Sequence, residues 1–186
     1  MEKIPTLFER VFENHRKVGI NNKVYPGMEW VLDGDGIATE KIDGSCCAII
    51  GGVFYKRYDA KGGKIPPIGA IPCCDPDPIT GHWPHWLPVD FEDKGNIWYV
   101  EAYRNAGSPT EDGTYEAIGP HFRSNSYGLE KDVIEKHGIR VLKDVPRSFE
   151  GIRNYLKDHN IEGIVFWKDG KPQCKIKRSD FGFSWK

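Results

Sequence analysis

The chain has 186 residues, of which 39% are hydrophobic and 28% charged, and its formal net charge is −1. This length has room for one domain with a sizeable core, and the charge excludes a uniformly basic nucleic-acid-binding surface. No apolar run approaches the roughly 20 residues that cross a bilayer, and the N-terminus lacks a secretory pattern. The five cysteines include two adjacent pairs and predict no disulfide framework. We therefore expect a cytoplasmic protein without a membrane partner.

In the first third of the chain, the sequence pattern predicts mainly strands. The spacing of apolar residues from Leu7 to Phe12 fits either a helical turn or a strand. Residues 33–36 predict a tight acidic turn before a strand. Three strands then follow, separated by glycine-containing turns, and we expect them to form one antiparallel meander. They cover residues 37–41, 46–50 and 53–58.

The middle of the chain is less regular. Residues 61–88 are rich in proline and glycine and predict a long structured loop. Residues 96–106 fit a strand or a helix, and the helix is preferred, which would place Glu101 at the surface.

The last third mixes helices and strands. Residues 113–118 predict a strand, 129–137 a short helix and 139–142 a strand. Ser148 predicts the N-cap of an amphipathic helix. The final strands cover residues 161–167 and 173–177, joined by a turn at Asp169-Gly170. Residues 168–186 hold six basic and two acidic residues, a local net charge of +4 that suits phosphates.

Charged residues stand on several of these predicted strands. Lys41, Asp43 and Gly44 form a Lys-x-Asp-Gly sequence, which by itself is better explained as a turn signal. Arg57 lies on a following strand, Glu116 lies within residues 113–118, and Glu162 opens the strand 161–167. Lys175 and Lys177 alternate on the last strand and so share a face.

Each of these residues also has a plain structural explanation. Glu116 could face solvent, and Glu162 could cap a turn. Lys175 and Lys177 could lie on the solvent-exposed face of an edge strand. An inward carboxylate, however, costs several kcal/mol unless it is paired, protonated or bound to metal. The ordered set is less easily explained by accident than any one member, and it indicates a buried polar site.

This order of motifs resembles the covalent nucleotidyltransferase superfamily, which includes nucleic-acid ligases and messenger-RNA capping enzymes. Within it, the chain is most similar to the compact RNA ligase 1 family. Ser126 departs from the proline that is common at this point of the family motif. The resemblance is carried by residues 38–47 (ATEKIDGSCC), 81–89 (GHWPHWLPV), 115–129 (YEAIGPHFRSNSYGL) and 161–178 (IEGIVFW to KIKR).

The resemblance implies an α+β fold of antiparallel sheets with flanking helices, the ligase-type adenylation domain. One nucleotidyltransferase domain would span residues 1–186, with no OB-fold or other C-terminal domain. ATP would bind in a cleft between sheets, with Lys41 at its floor. The protein would be a monomer acting on RNA with 5′-phosphate and 3′-hydroxyl ends, in RNA repair.

The resemblance also implies roles for the charged residues. Lys41 would attack the α-phosphate of ATP and carry AMP, which passes to the RNA 5′-phosphate before a 3′-hydroxyl joins the ends. An amine attacks only in its neutral form, which nearby cations and loss of water favour. Lys175 would contact the α-phosphate, as would Lys177.

Other residues would complete the ATP site. Glu162 would be the main carboxylate for Mg²⁺ or Mn²⁺, with Glu116 a second metal group or a ribose contact. Asp43 and Gly44 would orient the loop or the transferred groups, Arg57 would add positive charge, and the backbone of Glu40 would contact adenine. An aromatic ring would cover the adenine, and the sequence leaves Phe122, Tyr127 and Trp167 as alternatives.

Three other functions remain open at this point. A DNA ligase and a capping-type guanylyltransferase share the lysine chemistry. A non-catalytic module would bind nucleotides or RNA ends without forming a covalent bond. A zinc site at Cys73, Cys74, His82 and His85 is disfavoured, because these residues lack paired metal-ligand spacing.

Overall fold

The computed structural model describes residues 4–14, 16–78 and 80–185. Lys186, the last residue of the basic segment, lies outside them. The chain divides into two compact units. We call Asp43–His137 the central unit, and residues 4–42 together with 138–185 the terminal unit. The single domain expected over residues 1–186 stays a prediction.

The central unit is one antiparallel sheet covered by a helix. Helix α1 buries Val100 and Ala102 against the face of the sheet that carries Cys47, Tyr115 and Ala117. In sheet order the strands are β6, β7, β5, β4, β8 and β9. In chain order the elements are β4 (Ser45–Ile50), β5 (Val53–Asp59), β6 (Ile71–Pro72), β7 (Pro84–Pro88), α1 (Ile97–Asn105), β8 (Gly113–Ile118) and β9 (Val133–Lys136).

The terminal unit holds a two-stranded hairpin and a three-stranded antiparallel sheet in the order β11, β10, β3. Helix α2 buries Ile152 and Leu156 in a core with Ile164, Phe166 and Ile176. The elements are β1 (Phe8–Glu13), β2 (Arg16–Val24), β3 (Ile37–Glu40), α2 (Phe149–Asp158), β10 (Gly163–Lys168) and β11 (Lys171–Lys177), followed by a 3₁₀ turn (Arg178–Phe181).

The structure agrees with the expected class, since it combines antiparallel sheets with few helices. The ambiguous segment near Leu7 is strand β1. The helix at residues 96–106 is confirmed, and Glu101 is exposed on it. The strand at 113–118, the Ser148-capped helix and the final two strands are also confirmed.

Four local predictions are wrong. Residues 37–41 do not join the meander, because β3 pairs with β10 while β4 pairs with β5 and β8. The loop 61–88 contains β6 and ends in β7. Residues 129–137 form strand β9 instead of a helix, and Val141 makes an isolated bridge to Thr39 where a strand was expected. At β3 and β9, pairing with another strand decides the outcome, and the local sequence pattern does not contain that pairing.

Within the described residues, no helix has the length and apolar character needed to cross a bilayer.

The contribution of the Ser148 N-cap of α2 to stability can be tested by removing its hydroxyl. The Ser148 hydroxyl accepts a hydrogen bond from the Gly151 N–H at 3.1 Å. We expect Ser148→Ala to lower the free energy of unfolding by about 1 kcal/mol, because a first-turn N–H loses its partner. Urea denaturation measures the change, with Ser124→Ala at an exposed position as the control. Equal stability of the two variants would contradict this role of the cap.

Candidate active site

Lys41 follows directly after β3 in the terminal unit. Its backbone N–H donates to the Gly163 carbonyl at 2.8 Å, which holds the residue beside the start of β10. Its Nζ donates to Glu162 Oε2 at 2.6 Å. The lysine that the sequence predicts as the nucleophile is therefore held both by its backbone and by its ammonium group.

Glu162 lies between two lysines. The residue is only 7% exposed. Its Oε1 lies 2.9 Å from Lys177 Nζ, while its Oε2 contacts Lys41. Glu162 precedes β10 and does not cap a turn at the surface. A carboxylate with two ammonium partners meets the pairing requirement that burial imposes.

Gly163 allows this arrangement. A Cβ at Gly163 would lie 2.3 Å from the Ile176 carbonyl oxygen, which no side chain tolerates. Gly163 is the register partner of Lys177 across β10 and β11. The glycine therefore permits the close strand contact that sets Lys177 beside Glu162.

Lys175 lies two residues before Lys177 on β11. Burial, followed by the charges of Lys41, Lys177 and Arg10, lowers the pKa of Lys175 from 10.5 to about 8, and Glu162 offsets only part of this. The terminal unit thus collects three lysines around one buried carboxylate. Such an excess of positive charge suits a phosphate group.

Glu40 makes contacts within the terminal unit that the sequence did not predict. Its carboxylate accepts a hydrogen bond from Arg140 at 3.1 Å. Its backbone N–H donates to the Arg140 carbonyl at 2.9 Å. Of the backbone groups predicted to contact adenine, the N–H is therefore already engaged.

The other half of the motif belongs to the central unit, where four side chains hold the Asp43-Gly44 turn. The Asp43 N–H donates to the Tyr127 hydroxyl at 2.9 Å, and the Ser126 hydroxyl donates to Asp43 Oδ2 at 3.0 Å. The Gly44 N–H donates to Glu116 Oε1 at 3.1 Å, and the Arg123 side chain donates to the Gly44 carbonyl at 3.0 Å. We call these four residues the turn clamp.

Gly44 fits against β8 only because it has no side chain. A Cβ there would lie 2.2 Å from the Ala117 carbonyl oxygen and 2.7 Å from the Ile118 side chain. The glycine of the motif is thus required by close packing, and the Asp-Gly pair does not close a hairpin between paired strands.

Glu116 is 8% exposed, so the alternative that it faces solvent is wrong. Its Oε2 lies 2.8 Å from His137 Nε2, and His137 Nδ1 lies 2.9 Å from the Thr114 hydroxyl. Cys46 is its register partner on β4, and burial, followed by the charge of Glu116, raises the pKa of this thiol to about 12.

Cys46, Glu116 and His137 form the cluster of metal-binding side chains found among the described residues, with ligand atoms within 4.8 Å of one another. A thiol and an imidazole suit zinc better than Mg²⁺ or Mn²⁺. Because two of its three donors are a thiol and an imidazole, this donor set does not fit the expected hard cation.

Glu162 fits that cation in a different way. It is a single carboxylate among lysines, and Mg²⁺ in phosphate-binding sites uses one or two carboxylates together with substrate phosphate oxygens. Both of its oxygens contact lysines, so Glu162 fits a metal ion that arrives with a phosphate ligand and replaces one of these contacts.

Arg57 lies on β5 in the central unit, with its guanidinium 5.1 Å from the centre of the Trp86 ring. This stacking holds the side chain over an aromatic face. Its predicted role in ATP binding stays a prediction.

The three aromatic alternatives for adenine differ in their surroundings. Phe122 is buried in the core of the central unit and packs edge-on against Tyr99. Tyr127 belongs to the turn clamp. Trp167 lies on β10 in the terminal unit, and its indole N–H donates to the Thr39 hydroxyl at 2.8 Å.

Sequence reasoning missed the side-chain partners of the motif. Residues 115–129 stood out as one block, but no spacing rule assigned Arg123, Ser126 and Tyr127 to the Asp43-Gly44 turn. His137 gave no signal, because it followed a segment predicted as a helix. Ser126, which stands where the motif of the resembling family commonly has a proline, supplies a hydroxyl to Asp43.

Comparison with known proteins adds one finding. No family model matches the chain. The chain is similar to RNA ligase 1 of the zebrafish Danio rerio, with 27% identity over a region that covers 56% of this chain and 42% of that protein. The chain therefore spans less than half the length of the curated relative that it matches. This similarity supports a ligase-type function in general.

The close packing of Gly44 yields a stability prediction. We expect Gly44→Ala to lower the free energy of unfolding by about 2 kcal/mol or more, because the methyl group overlaps the Ala117 backbone. Gly19→Ala is the matched control, since a Cβ at Gly19 meets nothing within 4 Å. Thermal denaturation compares the two, and equal melting temperatures would contradict the packing argument.

Lys175 yields a pH-dependent prediction. Because its pKa is lowered from 10.5 to about 8, the folded protein binds fewer protons than the unfolded chain between these values. The cost of burying the charge is therefore full below pH 8 and falls as the pH rises toward 10.5. We expect Lys175→Met to raise the free energy of unfolding at pH 7 by on the order of 2 kcal/mol, and by much less at pH 10.

Urea denaturation at the two pH values measures this difference. Lys171→Met, at an exposed position on the same strand, should have little effect at either pH. An equal gain from Lys175→Met at pH 7 and pH 10 would show that charge burial is not the cause.

Proposed function

We propose that the protein is an ATP-dependent RNA ligase that joins 5′-phosphate and 3′-hydroxyl RNA ends through a covalent Lys41–AMP intermediate. The observation that carries this proposal is the contact of Lys41 Nζ with Glu162, which also contacts Lys177 within a cluster of lysines. The similarity to a protein named RNA ligase 1 supports RNA as the substrate.

The first step would be the attack of Lys41 Nζ on the α-phosphorus of ATP. A nitrogen–phosphorus bond forms, the bond to pyrophosphate breaks, and the ammonium group loses two protons, one to Glu162 and one to solvent. Glu162 Oε2 lies 2.6 Å from Nζ, within the distance needed to accept a proton. Glu162 would thus hold Lys41 before the reaction and take up one of its protons during it, while the charges of Lys175 and Lys177 favour the neutral amine.

Lys175 and Lys177 would neutralise the negative charge that builds up on the α-phosphate. Lys177 is already fixed by Glu162 and by its own N–H, which donates to Asp180 at 2.8 Å. Lys175 is buried without enough negative charge around it, so a phosphate would stabilise its protonated form. These two lysines would therefore bind the phosphate more strongly as charge develops.

Glu162 would also hold Mg²⁺ or Mn²⁺ together with phosphate oxygens, and the ion would supply further neutralisation of the leaving pyrophosphate. In the next two steps AMP passes to the RNA 5′-phosphate, and a 3′-hydroxyl displaces AMP to form the phosphodiester. Repair of broken RNA in the cytoplasm is the cellular role we propose.

Intact mass measurement tests the chemistry directly. After incubation with ATP and Mg²⁺ or Mn²⁺, the wild-type protein should gain the mass of one AMP, and Lys41→Arg should gain none. Arginine keeps a positive charge beside Glu162 but is not a nucleophile at phosphorus. Lys64→Arg, an exchange at an exposed position, is the control that should still be labelled.

Other outcomes separate the competing functions. A covalent label from GTP and none from ATP would favour a capping-type guanylyltransferase. Equal joining of DNA and RNA ends would remove the RNA assignment. A wild-type protein that binds ATP or RNA ends without any covalent label would be a binding module, and AMP on Lys41→Arg would refute the choice of nucleophile.

A further inference from the structure

The terminal unit contains a pocket of about 480 Å³ that includes Lys175 and extends to the N-terminal hairpin. It forms because the segment before β1 runs beside β11. The Leu7 N–H donates to the Lys175 carbonyl at 2.8 Å, and the Lys175 N–H donates to the Pro5 carbonyl at 3.0 Å. The wall opposite this segment comes from β1 and from the residue after β2, and includes Arg10, Phe12 and Tyr25.

The charged groups of the pocket leave an excess of positive charge. Glu9 is the acidic residue in its wall, and Lys23 lies 2.8 Å from its carboxylate. Arg10 and Lys175 make no ion pair with any carboxylate in the part of the chain that the structure describes. Two cations therefore face a space that a phosphate group could fill.

Thr6 gives an independent indication of a ligand. The residue lines the pocket and is 6% exposed. Its hydroxyl is buried and has no hydrogen-bond partner among the described residues. A buried hydroxyl without a partner costs about 1–3 kcal/mol, so proteins rarely keep one without a use.

Two aromatic rings complete the pocket. Phe12 is 60% exposed and Tyr25 is 44% exposed, although both are large apolar side chains. Exposed rings beside cations are the usual means by which proteins bind single-stranded RNA, because bases stack on the rings while the cations bind phosphate. The volume also suits one nucleotide.

We propose that this pocket binds the 5′-phosphorylated terminal nucleotide of the RNA strand that receives AMP. The proposal rests on the ligase function proposed above. The phosphate would contact Lys175, Arg10 and the Thr6 hydroxyl, and the base would stack on Phe12 or Tyr25. Pyrophosphate has no ring and would leave both aromatic side chains unused, and the comparison of the two reaction steps below separates RNA from ATP.

The position of Lys175 gives this site a role in the second step. A 5′-phosphate oxygen attacks the phosphorus of Lys41–AMP, a phosphorus–oxygen bond forms, and the nitrogen–phosphorus bond breaks as Lys41 recovers a proton. The two phosphates must come together for this step. Lys175 lines the pocket, and Lys41 is one of the charges that lower the pKa of Lys175, so the proposed 5′-phosphate site lies beside Lys41.

Direct binding is the first test, and it does not require the protein to be a ligase. We expect the wild-type protein to bind a short fluorescent oligoribonucleotide with a 5′-phosphate about tenfold more tightly than the same strand with a 5′-hydroxyl, because a charge-assisted contact is added. Arg10→Gln should remove most of this preference. Arg153→Gln, on an exposed face of α2, should retain it.

Thr6→Val is the most informative variant, because it should weaken RNA binding without lowering the stability of the fold. It removes a hydroxyl with no described partner, so the variant should unfold at an equal or higher urea concentration than the wild type. It should nevertheless weaken binding of the 5′-phosphorylated strand. A loss of stability together with unchanged binding would show that the hydroxyl serves the fold and would overturn its assignment to a ligand.

The two steps of the reaction separate RNA binding from ATP binding. In Phe12→Leu and Tyr25→Leu, we expect AMP transfer from the adenylylated protein to RNA to fall more than formation of Lys41–AMP. Phe91→Leu, at an exposed ring of the central unit, should affect neither step more than the other. Equal losses in both steps would assign the pocket to the phosphates of ATP.

Different experimental results would contradict the ligase function and the pocket assignment. A wild-type protein that discriminates 5′-phosphate from 5′-hydroxyl RNA but never forms Lys41–AMP would retain the pocket and lose the ligase function. A protein that forms Lys41–AMP but shows no preference for a 5′-phosphate would retain the ligase function and overturn the pocket assignment.

Discussion

The Glu162 carboxylate contacts Lys41 through one oxygen and Lys177 through the other, and the rest of the terminal unit is arranged so that this contact can form. Gly163 lets β11 approach β10 closely enough to bring Lys177 within reach. A buried carboxylate without such partners would be strongly destabilising. The balance is incomplete at Lys175, whose pKa is lowered first by burial and then by the excess positive charge of Lys41, Lys177 and Arg10. That excess is what the proposed phosphate ligand would relieve.

In the central unit, hydrogen bonds hold the other half of the motif, the Asp43-Gly44 turn. The four hydrogen bonds of the turn clamp join residues 116–127 to the backbone or carboxylate of Asp43 and Gly44. Hydrogen bonds of this kind limit the conformations of a turn, since each removed partner would leave a buried polar group unsatisfied. The clamp explains Asp43 as a residue that is itself positioned, and it gives Ser126 a contact that proline could not make.

How far the fold was predictable depended on where each strand finds its partner. Hairpins such as β4–β5 and β10–β11 were predictable because the turn residues Gly51-Gly52 and Asp169-Gly170 join strands that are neighbours in the chain. Strand β3 was placed in the wrong sheet because its partner β10 begins more than a hundred residues later. Strand β9 was taken for a helix because pairing with β8, which the local pattern does not contain, decides its conformation.

The sequence by itself determined which residue types are present and in what order, and this was enough to predict Lys41, Glu162, Lys175 and Lys177 as a group. It also determined the Ser148 helix cap and the hairpin turns, since these are local, and the resemblance it carries implied the class of fold. The tertiary structure alone decided that Glu162 contacts two lysines, that Gly44 packs against β8, and that Thr6 and Arg10 share a pocket with Lys175. These contacts join residues far apart in the chain, and distance along a sequence carries no information about distance in space until the strands have paired.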